Sequence, residues 1–167
     1  MVTDHTLAGN ELSSIAQQEG IPVSADLSPQ QQSEIVSLQQ LTDPQFSSTY
    51  VNNQVTDHVQ TLSLFIQETQ SGQDPAVVSF AQDQIPVLTQ HLEESLALQG
   101  ALQGHTLSQS DLDAMVSKLV PSLTNTTTGS ALTSMGGMDA TTTPSGASGP
   151  VAMQDTTHVA TIIGMPS

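Results

Sequence analysis

Val55-Thr56-Asp57-His58 lies in the middle of a helical run expected from about Pro44 to Thr69, and the same four residues occur at Val2-Thr3-Asp4-His5. At heptad spacing Val51, Val55, His58, Leu62 and Phe65 share one face of that run. Met1, His5, Ala8, Leu12 and Ile15 share a face near the start of the chain. Apolar residues recurring at threes and fours describe a helix with one buried stripe. Each repeat therefore turns one histidine toward an apolar seam. His91, three residues after Leu88, borders the stripe of a further helical run.

Working outward, the remaining helices follow from their start and stop signals. The first run extends from Met1 to about Glu19 and ends at Gly20-Ile21-Pro22, a C-cap glycine followed by a proline. Ser28-Pro29-Gln30-Gln31 supplies an N-cap, a proline at the first helical position and a capping-box partner. It opens a short helix carrying Ile35, Leu38 and Leu41. Asp43-Pro44 starts the long central helix with Asp43 as N-cap, and Asp74-Pro75 starts the next. That helix carries Val78, Ala81, Ile85, Leu88, Leu92 and Leu96, and fades around Gln99-Gly100. Pro86 interrupts it and predicts a kink, because the ring displaces the carbonyl four residues back. Ser108 to Leu119 forms one more short amphipathic helix through Leu112, Met115, Val116 and Leu119. From 122 to 167 the chain is rich in Thr, Ser, Gly, Pro and Met, and too few apolar residues remain to offset the cost of ordering. The expected organisation is thus a helical bundle over 1–102, a short accessory helix over 103–121 and a disordered tail over 122–167.

Composition narrows the function classes. Among 167 residues there is one Lys or Arg, Lys118, against sixteen acids, for a formal charge of -15. Phosphate contact depends on Lys and Arg, so direct nucleic-acid or anionic-membrane binding is set aside. The absence of Cys removes disulfides, thiolate metal sites and cysteine nucleophiles. No apolar run approaches the roughly 20 residues that span a bilayer. The N-terminus has neither the basic region nor the apolar region of a signal peptide. Neither G-x-G-x-x-G nor the Walker pattern occurs, and no glycine-flanked serine elbow is present. Asp111/Asp113 and Glu93/Glu94 read as solvated helix faces. The methionines at 115, 135, 138, 153 and 165 are too scattered to form a soft-metal motif.

Three segments carry a family resemblance: Met1-Val2-Thr3-Asp4-His5-Thr6, Leu41 to Tyr50 leading to Asp57-His58, and Ile85 to Leu92 around His91. In these the chain resembles the bacterial family known as domain of unknown function 4142 over about Met1 to Leu102. The resemblance implies an all-α, ferritin-like up-and-down bundle and an exported, periplasmic or otherwise extracytoplasmic protein. It also implies a helix and a half preceding the residue at which this chain starts, so a truncated bundle is expected, prone to self-association through an exposed seam. Between Phe46 and Tyr50 the family carries an acid where this chain has Ser47.

Imidazoles from three helices of one bundle are a recurrent way to hold a metal. The candidate ligands are His5, His58 and His91, with Glu94 one turn after His91 as a carboxylate, for iron or zinc. The Glu-x-x-His pattern of di-iron bundles is absent, since Val2, Val55 and Leu88 precede the histidines by three. Asp4 and Asp57 lie about 100° around the helix from their histidines, which suits them to support a ligand on a neighbouring helix instead. The competing account is structural: each histidine fills a seam position and hydrogen-bonds an acid or carbonyl across the bundle. His105 and His158 fall in loop and tail and are given no role. Two functions follow. The leading one is a non-enzymatic exported bundle with a cell-envelope or stress-related role. The alternative is a ferritin-like protein binding iron or zinc through the seam histidines. Convergence of the three imidazoles separates them.

Overall fold

A computed structural model of the chain describes residues 1–24 and 26–123. Among these it is all-α, with five helices and no strand: α1 (Val2–Gln18), α2 (Pro29–Gln39), α3 (Gln45–Ser71), α4 (Pro75–Leu102) and α5 (Gln109–Leu119). The expected disordered tail lies, from residue 124 on, outside the described residues. Leu123, expected to belong to it, still packs against the core.

The helix boundaries follow local chemistry. α1 ends in a Schellman motif, in which the Ile21 amide donates to the Ala16 carbonyl at 2.8 Å and the Gly20 amide to Gln17 at 3.3 Å. Gly20 takes φ +69°, a conformation a side chain would disfavour. α4 closes in the same way, with His105 donating to Gly100 and Gly104 at φ +79°. It runs to Leu102, slightly past the expected fade at Gln99-Gly100. Ser28 and Gln31 form the anticipated capping box on α2, and Ser108 with Asp111 forms another on α5. Asp74 caps α4 by accepting from the Ala76 and Val77 amides.

The start of α3 departs from expectation. Pro44, not Asp43, occupies the N-cap position, and the Asp43-Pro44 peptide bond is cis. The Asp43 carboxylate instead accepts from the amide and hydroxyl of Ser47. The acidic side chain that the resemblance places at residue 47 is thus replaced by a serine tied to an aspartate one turn earlier.

α3 and α4 form an antiparallel hairpin, joined by the three residues Gly72 to Asp74, and supply the main packing surface. Asn52 near the start of α3 accepts from Gln99 near the end of α4 at 2.8 Å, which records the antiparallel register. Leu62, Phe65 and Ile66 from α3 meet Phe80, Leu88, Leu92 and Leu96 from α4 in one core. Burying each such leucine contributes about 1.5–3 kcal/mol. α1 packs chiefly on α4 through Leu12 and Ala16, α5 packs on α4 through Leu112 and Val116, and α2 lies against α3. Ile35 of α2, expected on an apolar stripe, is exposed. Leu38 of α2 and Leu41 just beyond it are half-buried, Gln31 is buried, and Glu34 of α2 accepts from Asn53 of α3. This arrangement leaves α1 and α3 joined less by direct packing than through α4, and the three histidines sit in the space between them.

Candidate metal centre

The periodicity that buries Leu62 and Phe65 on α3 also buries His58, one turn before Leu62. On α4 the same logic places His91 beside Leu88 and Leu92, and on α1 it turns His5 inward one and two turns before Ala8 and Leu12. Each helix thus delivers one imidazole to a common point. The ring centroids stand 5.7 Å apart for His5 and His58, 5.1 Å for His5 and His91, and 5.7 Å for His58 and His91. One nitrogen from each ring lies within 4.8 Å of those of the other two.

Hydrogen bonding sets the tautomers. Nδ1 of His58 lies 2.7 Å from the Gln54 carbonyl oxygen, which can only accept, so Nδ1 carries the proton and Nε2 keeps its lone pair. Nε2 of His91 lies 2.9 Å from the Asp4 carboxylate, so Nε2 is the donor there and Nδ1 keeps its lone pair. His58 Nε2 and His91 Nδ1 are buried and have no hydrogen-bond partner. Leaving a buried polar atom unsatisfied costs about 1–3 kcal/mol, and folded proteins pair nearly all of them. Two such atoms converge here with a third imidazole.

The charge balance favours neutral rings on His5 and His58. Burial pushes the His58 imidazole below its usual pKa, against the partly opposing bond to Gln54, and neighbouring His91 adds to the depression. His5 is pushed down by burial first and then by the other two histidines, with Asp4 partly compensating. Asp4 is held below the usual carboxylate range by its bonds to the Met1 ammonium and to His91. Asp57 is raised, by burial first and then by Glu34.

A zinc ion at 2.0–2.1 Å from three imidazole nitrogens sets those nitrogens about 3.4 Å apart in tetrahedral geometry. The nitrogens lie within 4.8 Å of one another, so holding such an ion would bring them closer by up to about 1.4 Å. The donor chemistry fits: three imidazoles, two of them with a buried nitrogen free of hydrogen bonds, and His91 backed by a carboxylate in the arrangement common around protein-bound zinc.

Of the residues expected from sequence, the structure brings together His5, His58 and His91, and places Asp4 behind His91. It does not bring Glu94 to them. Glu94 is exposed and accepts from Gln90 at 3.0 Å, because three residues past His91 the helix has turned it onto the solvent flank. Asp57 is half-buried and lines the cavity beside the cluster. This cavity, of about 600 Å³, was not anticipated. It is bounded by α1, α3 and α4, by Val23, Asp26 and Leu27 of the linker before α2, and by Gln31 of α2. No periodicity marks that linker as a wall of a site. The Gln54 carbonyl was also missed, although any helical histidine has a carbonyl four residues back within reach.

The sequence model of one family, described as Domain of unknown function (DUF4142), matches residues 1–98. The match spans more than half of the chain, so the chain belongs to that family. No curated protein and no solved structure matches it significantly.

Proposed function

We propose that this chain is a helical metal-binding protein in which His5, His58 and His91 hold one divalent first-row ion, zinc or iron. The observation that carries the reading is the convergence of two buried, unpartnered imidazole nitrogens and a third imidazole on one point, with their lone pairs set by outer hydrogen bonds. All-nitrogen donor sets suit these ions. Three protein ligands leave a coordination position free, and a metal so held supplies Lewis acidity toward whatever enters from the cavity. Asp4 fixes the His91 ring and raises its basicity as a ligand. The ferritin-like architecture and the extracytoplasmic setting implied by the resemblance belong to this reading and supply its context.

The second reading, a non-enzymatic envelope or stress-related bundle without metal, is favoured by the same two outer bonds. His58 bonds a carbonyl and His91 bonds an acid on another helix, as core histidines do. Elemental analysis of protein purified without chelator or affinity nickel separates the two. Near-stoichiometric zinc or iron, lost on His58→Ala, supports the metal centre. Folded protein without metal, even after incubation with either ion, sinks it.

A further inference from the structure

The cavity beside the histidines has a chemistry of its own. Its walls carry Asp57 from α3 and Asp26 from the linker before α2, with Asp4 at the edge. Asp4 is engaged by His91 and the Met1 ammonium, whereas Asp26 and Asp57 face the cavity from different elements. The chain's single Lys, Lys118, sits on α5 and does not line it. Phe65 and Phe80, both buried, form part of the lining, with ring centroids 5.8 Å apart and planes inclined by 50°. The two buried imidazole nitrogens without partners, His58 Nε2 and His91 Nδ1, belong to residues of the same wall. About 600 Å³ is within the range of cavities that enclose a small molecule.

We infer that this cavity is a binding site for a small organic ammonium ion with an apolar body. Three features select that class. Carboxylates on two elements attract a cation, and a concave, low-dielectric wall strengthens their field. The aromatic rings offer both apolar contact and the negative faces that attract an ammonium group. No Lys or Arg lines it, and of its basic groups only the His91 imidazole pairs with a lining acid, Asp4, which leaves Asp26 and Asp57 to meet a cation. The overall charge of -15 adds a long-range field of the same sign. The inference goes beyond the metal reading: the metal would be held by the histidines, and cation selectivity comes from the acids and phenyl rings of the lining.

The test is calorimetric titration of the whole chain at low salt with benzylamine and benzoate, which share a body and differ in the sign of their charge. Both are run on metal-free protein and again after zinc addition. The expected result is benzylamine binding at least about tenfold tighter than benzoate in the metal-free protein, weakening as salt is added. Asp26→Asn, a change in an exposed linker that leaves the core untouched, should reduce benzylamine affinity several-fold. Phe80→Leu should reduce it too, provided its thermal melt shows a folded protein. Equal or tighter benzoate binding to the metal-free protein, or no binding of either probe, overturns the inference. Zinc uptake without benzylamine binding overturns this inference and leaves the metal centre standing. Benzylamine binding by a protein that takes up no metal supports this inference while sinking the metal centre.

Discussion

Nε2 of His91 donates to the carboxylate of Asp4 at 2.9 Å, joining α4 to α1 across 87 positions of the chain. The His91 side chain is almost fully buried and Asp4 is nearly half exposed, so the bond runs from the core to its rim. Its consequence is directional. It commits the proton to Nε2 and leaves Nδ1, buried and without a hydrogen-bond partner, as the free nitrogen of a ring packed beside His5 and His58.

Replacing Asp4 tests that commitment. Asp4→Ala should leave the helix content unchanged and lower zinc affinity by roughly 10–100-fold, the usual effect of losing the carboxylate behind a ligating histidine. Competition with a chromophoric chelator reads it. An unchanged affinity would remove Asp4 from the site.

His58→Leu should separate stability from binding. It removes a buried nitrogen without a partner and fills the position with an apolar side chain of similar size. In metal-free protein it should stabilise the fold by about 1 kcal/mol, from the relieved desolvation of Nε2, while abolishing metal uptake. Urea unfolding with and without zinc shows both effects. Destabilisation of the metal-free protein would mean that the imidazole contributes to the core as it stands.

Metal removal should act mainly on α1, which packs chiefly on α4 and contributes His5. A bound ion would tie α1 to α3 directly. Adding zinc at about 100 times its Kd should stabilise the protein by roughly 2.7 kcal/mol. Hydrogen exchange should slow across Val2–Gln18 more than across α5. Uniform protection, or none, would contradict the placement of His5.

The metal-free protein should lose stability in mild acid. In the folded protein His5 and His58 have pKa values below the ordinary histidine value of 6.5. The unfolded chain therefore binds more protons than the folded one as the pH drops below about 6.5. Their neutral burial is fully tolerated above that value and increasingly penalised below it. Asp4, the acid facing His5 and His91, is depressed below 3.8 and stays ionised throughout this range. Asp57, raised from 3.8, contributes in the opposite direction at the acid end. Thermal melts from pH 8 to 5 should thus be flat at first and then fall. A melting temperature flat across the whole range would show that the histidines are not held neutral by burial.

Gly72 marks a different constraint. A Cβ there would lie 2.6 Å from the backbone carbonyl oxygen of Glu68, and it would also meet the buried Glu68 carboxylate. Gly72→Ala should cost about 1–3 kcal/mol through this overpacking, measured as a lower urea midpoint. A neutral result would mean that the α3–α4 turn shifts freely.

The helices themselves were legible because their signals are local. Ser28 with Gln31, Asp74 with Pro75, and Ser108 with Asp111 each satisfy amides within one turn of themselves, so the sequence announces them. The glycine stop at Gly20 is equally local. The seam was legible too, since the spacing of Val51, His58, Leu62 and Phe65 reflects one helical face. Asp43 was misread because an aspartate before proline can cap either of two starts one position apart, and here Pro44 takes the N-cap position.

By itself the sequence determined an all-α chain, a seam carrying His5, His58 and His91, a strongly acidic surface and the family. Periodicity says which face of a helix is apolar, and composition says what that surface repels. Only the tertiary structure decided that the three imidazoles come together and that the neighbouring-helix histidine backed by Asp4 is His91. It also decided that Glu94 turns to solvent and that the linker through Asp26 closes a cavity. The physical reason is that a helical pattern specifies rotation about an axis but not how far one helix slides along another. That slide is set by the packing of Leu12, Leu62, Leu88 and Leu92, side chains from three helices that no local rule relates.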